Sequence, residues 1–254
     1  MSSASERPTV THWRPGPIFV VAVLTVLAML IALGTWQVQR LAWKEALLER
    51  IAERIAAPPL SLAQAEAQWA QQGEIEYVPV EVSGRFDHDG EQHFLATHQG
   101  QSGWYVYTPL ELRDGRALIV NRGFIPYDRK EPATREWEEP EGIVSFTALA
   151  RDPLAEKPSW IVPDNAPADN LWYWKDFAAM REAMGLAADA TVPFFVDIRS
   201  YGADSGIRVP VPGVTQVDLP NNHLQYAVTW YGLAAALAVV AGFMFFRSPN
   251  RKEW

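Results

Sequence analysis

Two long uncharged runs of apolar residues stand near opposite ends of the chain. Ile18 to Trp36 is 19 residues long, and Tyr226 to Phe246 is 21 residues long. A helix needs about 20 apolar residues to cross the hydrocarbon of a bilayer. A buried core helix gives a similar run, but two such runs in a chain with a mean hydropathy of −0.11 favour membrane spans. We therefore predict transmembrane helices at 18–37 and 226–246.

The helical pattern continues beyond the first run. No Gly or Pro occurs from Gln37 to Ala56, and apolar residues recur there at helical spacing. We predict one continuous helix over 18–56, whose extension 38–56 projects from the membrane. Ser61 and Gln64 have the spacing of a capping box, which predicts a short second helix. A further short helix is expected after Asp176, a residue type that caps helices.

Between these helices the apolar positions alternate with a period of two, which indicates half-buried strands. Asp89-Gly90 and Asp114-Gly115 are typical of hairpin turns, and Asn121-Arg122-Gly123 is interpreted as a strand end turning toward Pro126. The predicted fold class is a membrane protein of the α+β class. It has two transmembrane helices that flank one mostly antiparallel β domain with a few short helices, over residues 38–225. The predicted strands are 78–86, 92–97, 104–112, 117–121, 143–150 and 192–200.

Charge is distributed unevenly, and its distribution predicts the topology. Segment 38–225 carries 17 Lys and Arg against 28 Asp and Glu. Basic residues follow the second apolar run closely, and basic flanks remain on the cytoplasmic side. We predict cytoplasmic tails at 1–17 and 247–254 and an extracytoplasmic β domain. A cleaved signal peptide has a shorter apolar region, so the first run is interpreted as an anchor. The basic residues concerned are Arg247, Arg251 and Lys252.

Composition excludes several kinds of chemistry. The chain has no cysteine, which removes disulfides, thiolate metal sites and cysteine nucleophiles. Neither a dinucleotide-binding nor a Walker glycine pattern occurs, so we do not expect an enzyme. An isoelectric point near 5.2 argues against a nucleic-acid partner. We interpret three histidines as surface hairpin residues, and two glutamates as solvated loop residues. They are His88, His93 and His98, and Glu138 and Glu139.

His223 is the strongest candidate for metal ligation. It lies where Pro220 and two asparagines indicate the start of the second span, at the outer interface. The helix dipole disfavours the imidazolium there, and a neutral imidazole is a metal ligand. Tyr226 and Trp230 follow on the same face. The alternative is that His223 only anchors the helix end beside lipid headgroups.

The outer end of the first span supplies a complementary surface. Trp36 and Arg40 lie one turn apart, and Arg40 is suited to pairing an anionic group; an interfacial tryptophan with a snorkelling arginine is the ordinary alternative. Small residues predict close packing of the two spans, which would bring Trp36 and Arg40 near His223 in an apolar groove. The small residues are Ala28, Ala32, Ala234, Ala238 and Gly242.

Three segments resemble the surfeit locus protein 1 family of cytochrome c oxidase assembly factors. LGTWQVQRLAWK (33–44) leaves the first span, LIVNRGFIP (118–126) lies in the β domain, and NHLQYAVTWYGLA (222–234) enters the second span. The order of the segments and the two terminal spans also resemble the family, so the resemblance covers nearly the whole chain. Phe124 stands where the family often has Trp.

The resemblance implies a non-enzymatic role in maturing the haem-copper oxidase. Its expected cofactor is a transiently bound haem a, with His223 as axial ligand of the haem iron. Its expected partners are oxidase subunit I, haem a synthase and membrane lipid. By position, Arg40 would lie near a haem propionate, and Trp36, Tyr226 and Trp230 would line the site. The alternative function is a haem-free membrane scaffold that stabilises an oxidase assembly intermediate.

Overall fold

The computed structural model describes residues 16–202, 205–215 and 221–246, which form two units. The first unit takes its described residues from 1–48 and 218–254, and the second covers 49–217. The basic residues behind the topology prediction, Arg247, Arg251 and Lys252, lie outside the described residues.

The helices begin and end at the residues whose local chemistry favours it. Helix α1 runs without interruption over Pro17–Ala56, as the unbroken helical pattern predicts. Helix α2 spans Leu62–Gln72, and its N-cap Ser61 forms the predicted capping box with Gln64. Helix α3 spans Phe177–Ala183 under the predicted cap Asp176, and α4 spans His223–Phe246.

Both α1 and α4 are long and apolar enough to cross a membrane by length and composition. Only 6% of the apolar window of α1 and 11% of that of α4 is buried. A core helix of a water-soluble domain is apolar because other parts of the chain cover it. These two helices instead leave most of their apolar surface uncovered.

The second unit is built on a seven-stranded mixed sheet in the order β1-β2-β6-β7-β5-β4-β3. An additional pairing of β2 with β4 closes β2, β6, β7, β5 and β4 into a ring. Five of the seven described pairings are antiparallel, but β1–β2 and β5–β7 are parallel. The prediction of a mostly antiparallel domain therefore missed two parallel contacts. The strands are β1 Leu60–Ser61, β2 Pro79–Phe86, β3 Gln92–His98, β4 Gln101–Glu111, β5 Ala117–Pro126, β6 Ile143–Arg151 and β7 Thr191–Tyr201.

One predicted hairpin is confirmed and the other is wrong. Asp114-Gly115 joins the antiparallel neighbours β4 and β5. Asp89-Gly90 instead lies in a 3₁₀ turn, His88–Gly90, and the flanking strands β2 and β3 do not pair with each other. Both pair with β4, β2 through Arg85 and Phe86 only. Turn chemistry is local, whereas strand partners depend on the distant β4 segment.

The core lies inside the ring of strands, and a second cluster lies outside it. The interior is filled by inward-facing side chains of the ring and is capped by Trp69 of α2, whose ring centroid is 6.1 Å from that of Phe194. Outside, α3 covers β5 and β7 through Met180 and Met184, around the fully buried Trp172. The predicted alternation in β4 gives way to burial on both faces from Val106 to Leu110, because both layers meet there.

Candidate functional site

Helices α1 and α4 pack side by side in antiparallel directions. Near one end the rings of Phe19 and Phe245 are 6.5 Å apart. Further along, Thr35 Oγ1 lies 3.0 Å from the hydroxyl of Tyr231. A Cβ atom on Gly34 would lie 2.9 Å from the Tyr231 ring, so only a glycine permits this approach. The Gly34–Tyr231 contact therefore fixes how the two helices are aligned.

The helix seam uses small residues, but mostly not the predicted ones. On α4, Ala227, Ala234 and Ala241 are buried at intervals of seven residues, the repeat of a helix–helix seam. Of the predicted set only Ala234 is buried, since Ala28, Ala32 and Ala238 are exposed and Gly242 is half-buried. Contact through Gly34 turns α1 so that Ala32, about 200° around the helix at 100° per residue, faces away.

His223 is the first residue of α4, as the asparagine signal predicts. Its side chain reaches α1, where Nδ1 lies 2.8 Å from Oε1 of Gln37. No described residue is hydrogen-bonded to Nε2. Gln37 is one of only two buried residues on α1, the other being Gly34. His223 is therefore held at one ring nitrogen, and the other nitrogen has no hydrogen-bond partner within the described part of the chain.

The predicted groove is only partly assembled. Trp230 is half-buried on the same side of α4 as His223. Trp36 and Tyr226 are each 54% exposed, and the Arg40 guanidinium lies 3.8 Å from the ring centroid of Trp43. The seam thus contains His223 and Trp230, whereas Trp36, Arg40 and Tyr226 lie off it.

Sequence reasoning missed Gln37 as the partner of His223. Gln37 follows Gly34 by three residues and shares its face. The signal in the sequence was a polar glutamine on the same helix face as Gly34, the residue at which α1 and α4 come closest.

The donor set suits haem iron better than a bare metal ion. The described residues contain no group of three or more His, Asp or Glu that could hold a metal. A haem brings four nitrogen ligands of its own and needs only an axial ligand from the protein. His223 has a ring nitrogen available for that bond, and exposed aromatic side chains lie nearby on both helices. The residues present therefore fit a haem and do not fit a metal cage.

A second candidate site lies in the β domain, around Arg122. The predicted strand end at 121–123 is wrong, because β5 continues to Pro126. The β4–β5 register shifts here, since Asn121 pairs with Tyr107 and Gly123 with Val106, which leaves Arg122 as an extra, bulged residue. A bulge re-aims side chains. Arg122 points into the protein and is 0% exposed.

The Arg122 guanidinium meets groups from two other stretches of chain, residues 86–91 and the loop before β6. Its Nη2 donates to Glu139 Oε2 at 2.6 Å, and its Nη1 lies 3.6 Å from Glu91 Oε2 and 3.2 Å from His88 Nδ1. His88 Nε2 lies 3.2 Å from the carbonyl of Pro140, which only accepts, so Nε2 carries the proton of a neutral ring and Nδ1 accepts from Arg122. The guanidinium also lies over the ring of Phe86.

Arg135 completes the cluster from the long loop between β5 and β6. It binds Glu91 and, at 2.8 Å, Glu139. Burial raises the pKa of Glu91, but hydrogen bonds from His93 and Arg135 outweigh burial and lower this pKa to about 2. Burial also raises the pKa of Glu139, and the guanidinium of Arg122 outweighs it, so that pKa is lowered. Two arginines and two ionised glutamates therefore balance in charge.

Two expectations about this region are wrong. His93 is not a surface residue, because only 4% of it is exposed and its Nε2 lies 2.9 Å from Glu91 Oε1. His88 and His98 are half-buried, and Glu139 is half-buried in the cluster, while Glu138 is exposed as expected. We call Arg122, Arg135, Glu91, Glu139, His88 and His93 the Arg122 cluster. It fastens the loop between β5 and β6 to the ring of strands, beside a cleft of about 1150 Å³.

A third polar group includes Asn121, the residue before Arg122. Asn121 donates to Asp197 Oδ1 at 3.0 Å, and its own Oδ1 accepts from the Gly123 N–H. Asp197 also accepts from Arg151 at 2.7 Å and from Thr215 at 2.9 Å. Burial raises the pKa of Asp197, but the nearby cations Lys175 and Arg151 outweigh it and lower the pKa. Two adjacent residues at the bulge therefore contact two separate ionic groups. Asn121 contacts the group around Asp197, and Arg122 contacts the group around Glu91 and Glu139.

Comparison with known proteins identifies the family. A family model described as the SURF1 family matches residues 24–235. The chain belongs to the SURF1 family. Surfeit locus protein 1 of Rattus norvegicus is 36% identical over 246 residues, which cover 91% of this chain and 75% of the relative. That of Homo sapiens is 38% identical over 80% of this chain and 70% of its own length. A SURF1-like protein of Monosiga brevicollis is 30% identical over 99% of this chain and 94% of its own length.

The SURF1 match includes every site described above. It begins within α1 and ends within α4, so it contains Gln37, His223 and the whole ring of strands. Both the helix pair and the Arg122 cluster therefore belong to the family domain. SURF1 membership is consistent with a role in cytochrome c oxidase assembly, the role implied by the sequence resemblance.

Proposed function

We propose that this SURF1 chain is an assembly factor for haem-copper cytochrome c oxidase that binds haem a and assists its insertion into subunit I. The observation that carries the proposal is His223, which begins an apolar helix and has a ring nitrogen without a partner among the described residues. Family membership supports the oxidase as the recipient. Oxidase subunit I and haem a synthase are the proposed protein partners.

The helix pair supports a membrane location for this site. The Phe19–Phe245 and Gln37–His223 contacts are 18 residues apart on α1, about 27 Å at 1.5 Å per residue. This is close to the ~30 Å thickness of bilayer hydrocarbon. With Phe19 near one interface, His223 would lie near the other. We propose the bacterial cytoplasmic membrane, with both chain ends cytoplasmic and the β domain periplasmic.

His223 would hold the haem as cargo by a single axial bond. A single protein ligand can be exchanged for a ligand of subunit I, whereas several would retain the haem. The exposed rings of Trp36 and Tyr226 and the half-buried Trp230 would contact the apolar macrocycle. Arg40 would lie near a propionate, turning from the face of Trp43 to do so.

The test is the absorption spectrum of the protein purified from cells that make haem a. We expect His223→Ala to abolish or sharply change the bound haem a spectrum, because an alkyl side chain cannot ligate iron. His98→Ala, a half-buried histidine on β3, is the matched control and should leave the spectrum unchanged. An unaltered spectrum in His223→Ala would overturn the ligand assignment.

The second candidate function is a haem-free scaffold that holds an oxidase assembly intermediate. The Arg122 cluster favours this scaffold function, because the cluster fastens an exposed acidic loop beside a large open cleft. A wild-type protein that co-purifies with subunit I, yet carries no haem when haem a is abundant, would replace the haem-binding proposal with this one.

A further inference from the structure

We propose that Gln37 is a positioning residue that selects the tautomer of His223 and aims its Nε2 for ligation. The inference rests on the proposed haem a binding for its purpose. The hydrogen bond itself, between Nδ1 of His223 and Oε1 of Gln37 at 2.8 Å, does not depend on haem. Its consequences can therefore be measured with and without the cargo.

Burial makes the Gln37 amide dependent on a partner. Gln37 is only 8% exposed, and the other buried residue of its helix is Gly34. A buried amide without a hydrogen-bond partner is unfavourable, because it loses its hydrogen bonds to water. Small-residue contact at Gly34, one turn earlier, brings α4 close enough for the side chain to reach His223. Helix packing therefore holds Gln37 in place, and its Oε1 accepts a hydrogen bond from His223 before any ligand is bound.

The acceptor determines where the imidazole proton lies. A carbonyl oxygen of an amide cannot donate, so His223 Nδ1 must be the donor. A neutral imidazole has only one N–H. Nε2 therefore carries a lone pair, which is the form that binds a metal. Metal-ligating histidines commonly donate their other ring N–H to an oxygen, which fixes both tautomer and orientation.

The position of His223 explains why it needs this support. As the first residue of α4 it lies at a helix end, where helices fray. Without a partner at Nδ1 the ring could rotate and exchange its proton between the two nitrogens. The hydrogen bond to Gln37 prevents both the ring rotation and the proton exchange. The Thr35–Tyr231 contact, two residues from Gln37 on α1, holds α1 against α4.

The experiment compares Gln37→Leu and Gln37→Glu with Gln39→Leu, a control at an exposed glutamine on the same helix. The first readout is the ¹⁵N NMR shifts of His223 ring nitrogens in the full-length protein without haem. We expect the Nδ1–H tautomer in wild type, Gln39→Leu and Gln37→Glu, whose carboxylate still accepts. Gln37→Leu should give a mixture of tautomers. Circular dichroism checks that helix content is unchanged.

The second readout is titration of the same proteins with haem a. Loss of such a supporting partner weakens metal sites by about 10–100-fold, so we expect that loss in Gln37→Leu and its rescue in Gln37→Glu. Unchanged ring shifts and unchanged haem a affinity in Gln37→Leu would overturn the inference while the haem proposal stands. A tautomer change in Gln37→Leu, with no haem a bound even by wild type, would instead overturn the proposed function.

Discussion

Arg122 owes its position to one extra residue in β5. The bulge turns a strand residue inward, where it is fully buried against Glu139, Glu91 and His88. Removing one partner from a buried ion pair leaves an uncompensated charge, which costs about 3–5 kcal/mol. The Arg122 cluster is therefore a structural requirement of the domain, whichever partner the neighbouring cleft receives.

The cluster makes stability depend on pH in a defined window. The pKa of folded Glu91 is about 2, against an ordinary value of 4.5. Its stabilisation is complete above pH 4.5 and is lost as the pH falls toward 2. The lowered pKa of Glu139 acts in the same direction. We expect wild-type stability, measured by denaturant unfolding, to fall across this window by roughly 3 kcal/mol from Glu91 alone.

Glu91→Gln removes the titrating carboxyl group. We therefore expect the stability of this variant to change less between pH 4.5 and 2 than that of wild type, and to be lower than that of wild type at pH 7. Glu81→Gln, at an exposed position on β2, is the control and should follow wild type. Equal slopes for wild type and Glu91→Gln between pH 4.5 and 2 would contradict the cluster's role.

The role of a residue could be predicted from the sequence where its contacts are with residues close to it along the chain. The caps Ser61 and Asp176 act within three residues, and they were predicted from the Ser61–Gln64 spacing and from the residue type of Asp176. His93 and Glu139 were misjudged, because His93 meets Arg135, 42 residues away, and Glu139 meets Arg122, 17 residues away, only in the folded protein. Charge pattern along a sequence does not reveal such a meeting.

At the scale of elements, the helices and most strands follow from periodicity. The pairing of strands does not, since β2 and β3 are joined by favourable turn residues and still pair separately with β4. The parallel β5–β7 contact joins strands about 70 residues apart and has no local signal. The rotation of α1 about its axis was also not predictable, because small residues lie on both sides of the helix, with Gly34 buried and Ala32 exposed.

A substitution at Gly123, next to the bulged Arg122, tests whether β5 requires this backbone conformation. Its φ is +128°, and a Cβ there would lie 2.0 Å from the carbonyl oxygen of Val211. We expect Gly123→Ala to destabilise the protein by more than about 2 kcal/mol, from backbone strain and this clash together. Gly100→Ala is the control, with φ +82° and no heavy atom within 4 Å. Equal melting temperatures of the two variants would show that the strand can relax at the bulge.

At the scale of the whole molecule, apolar length predicts the helix pair, and the basic tail predicts its orientation. Reporters fused to both ends should read cytoplasmic. A reporter inserted at Gly100, an open turn between β3 and β4, should read extracytoplasmic without disturbing the Arg122 cluster. A cytoplasmic signal from the Gly100 insertion would reverse the topology.

The closed ring of strands has a consequence for biosynthesis. β7, Thr191–Tyr201, lies between β5 and β6, which are both made earlier. Until residue 201 has left the ribosome and its export path, β5 and β6 each expose an unpaired edge, and unpaired edges recruit other strands. A nascent chain is therefore vulnerable to aggregation from the synthesis of β5 until β7 is complete. Chaperones or rapid export would have to shield it, and a message truncated before codon 191 would encode a domain with two permanently open edges.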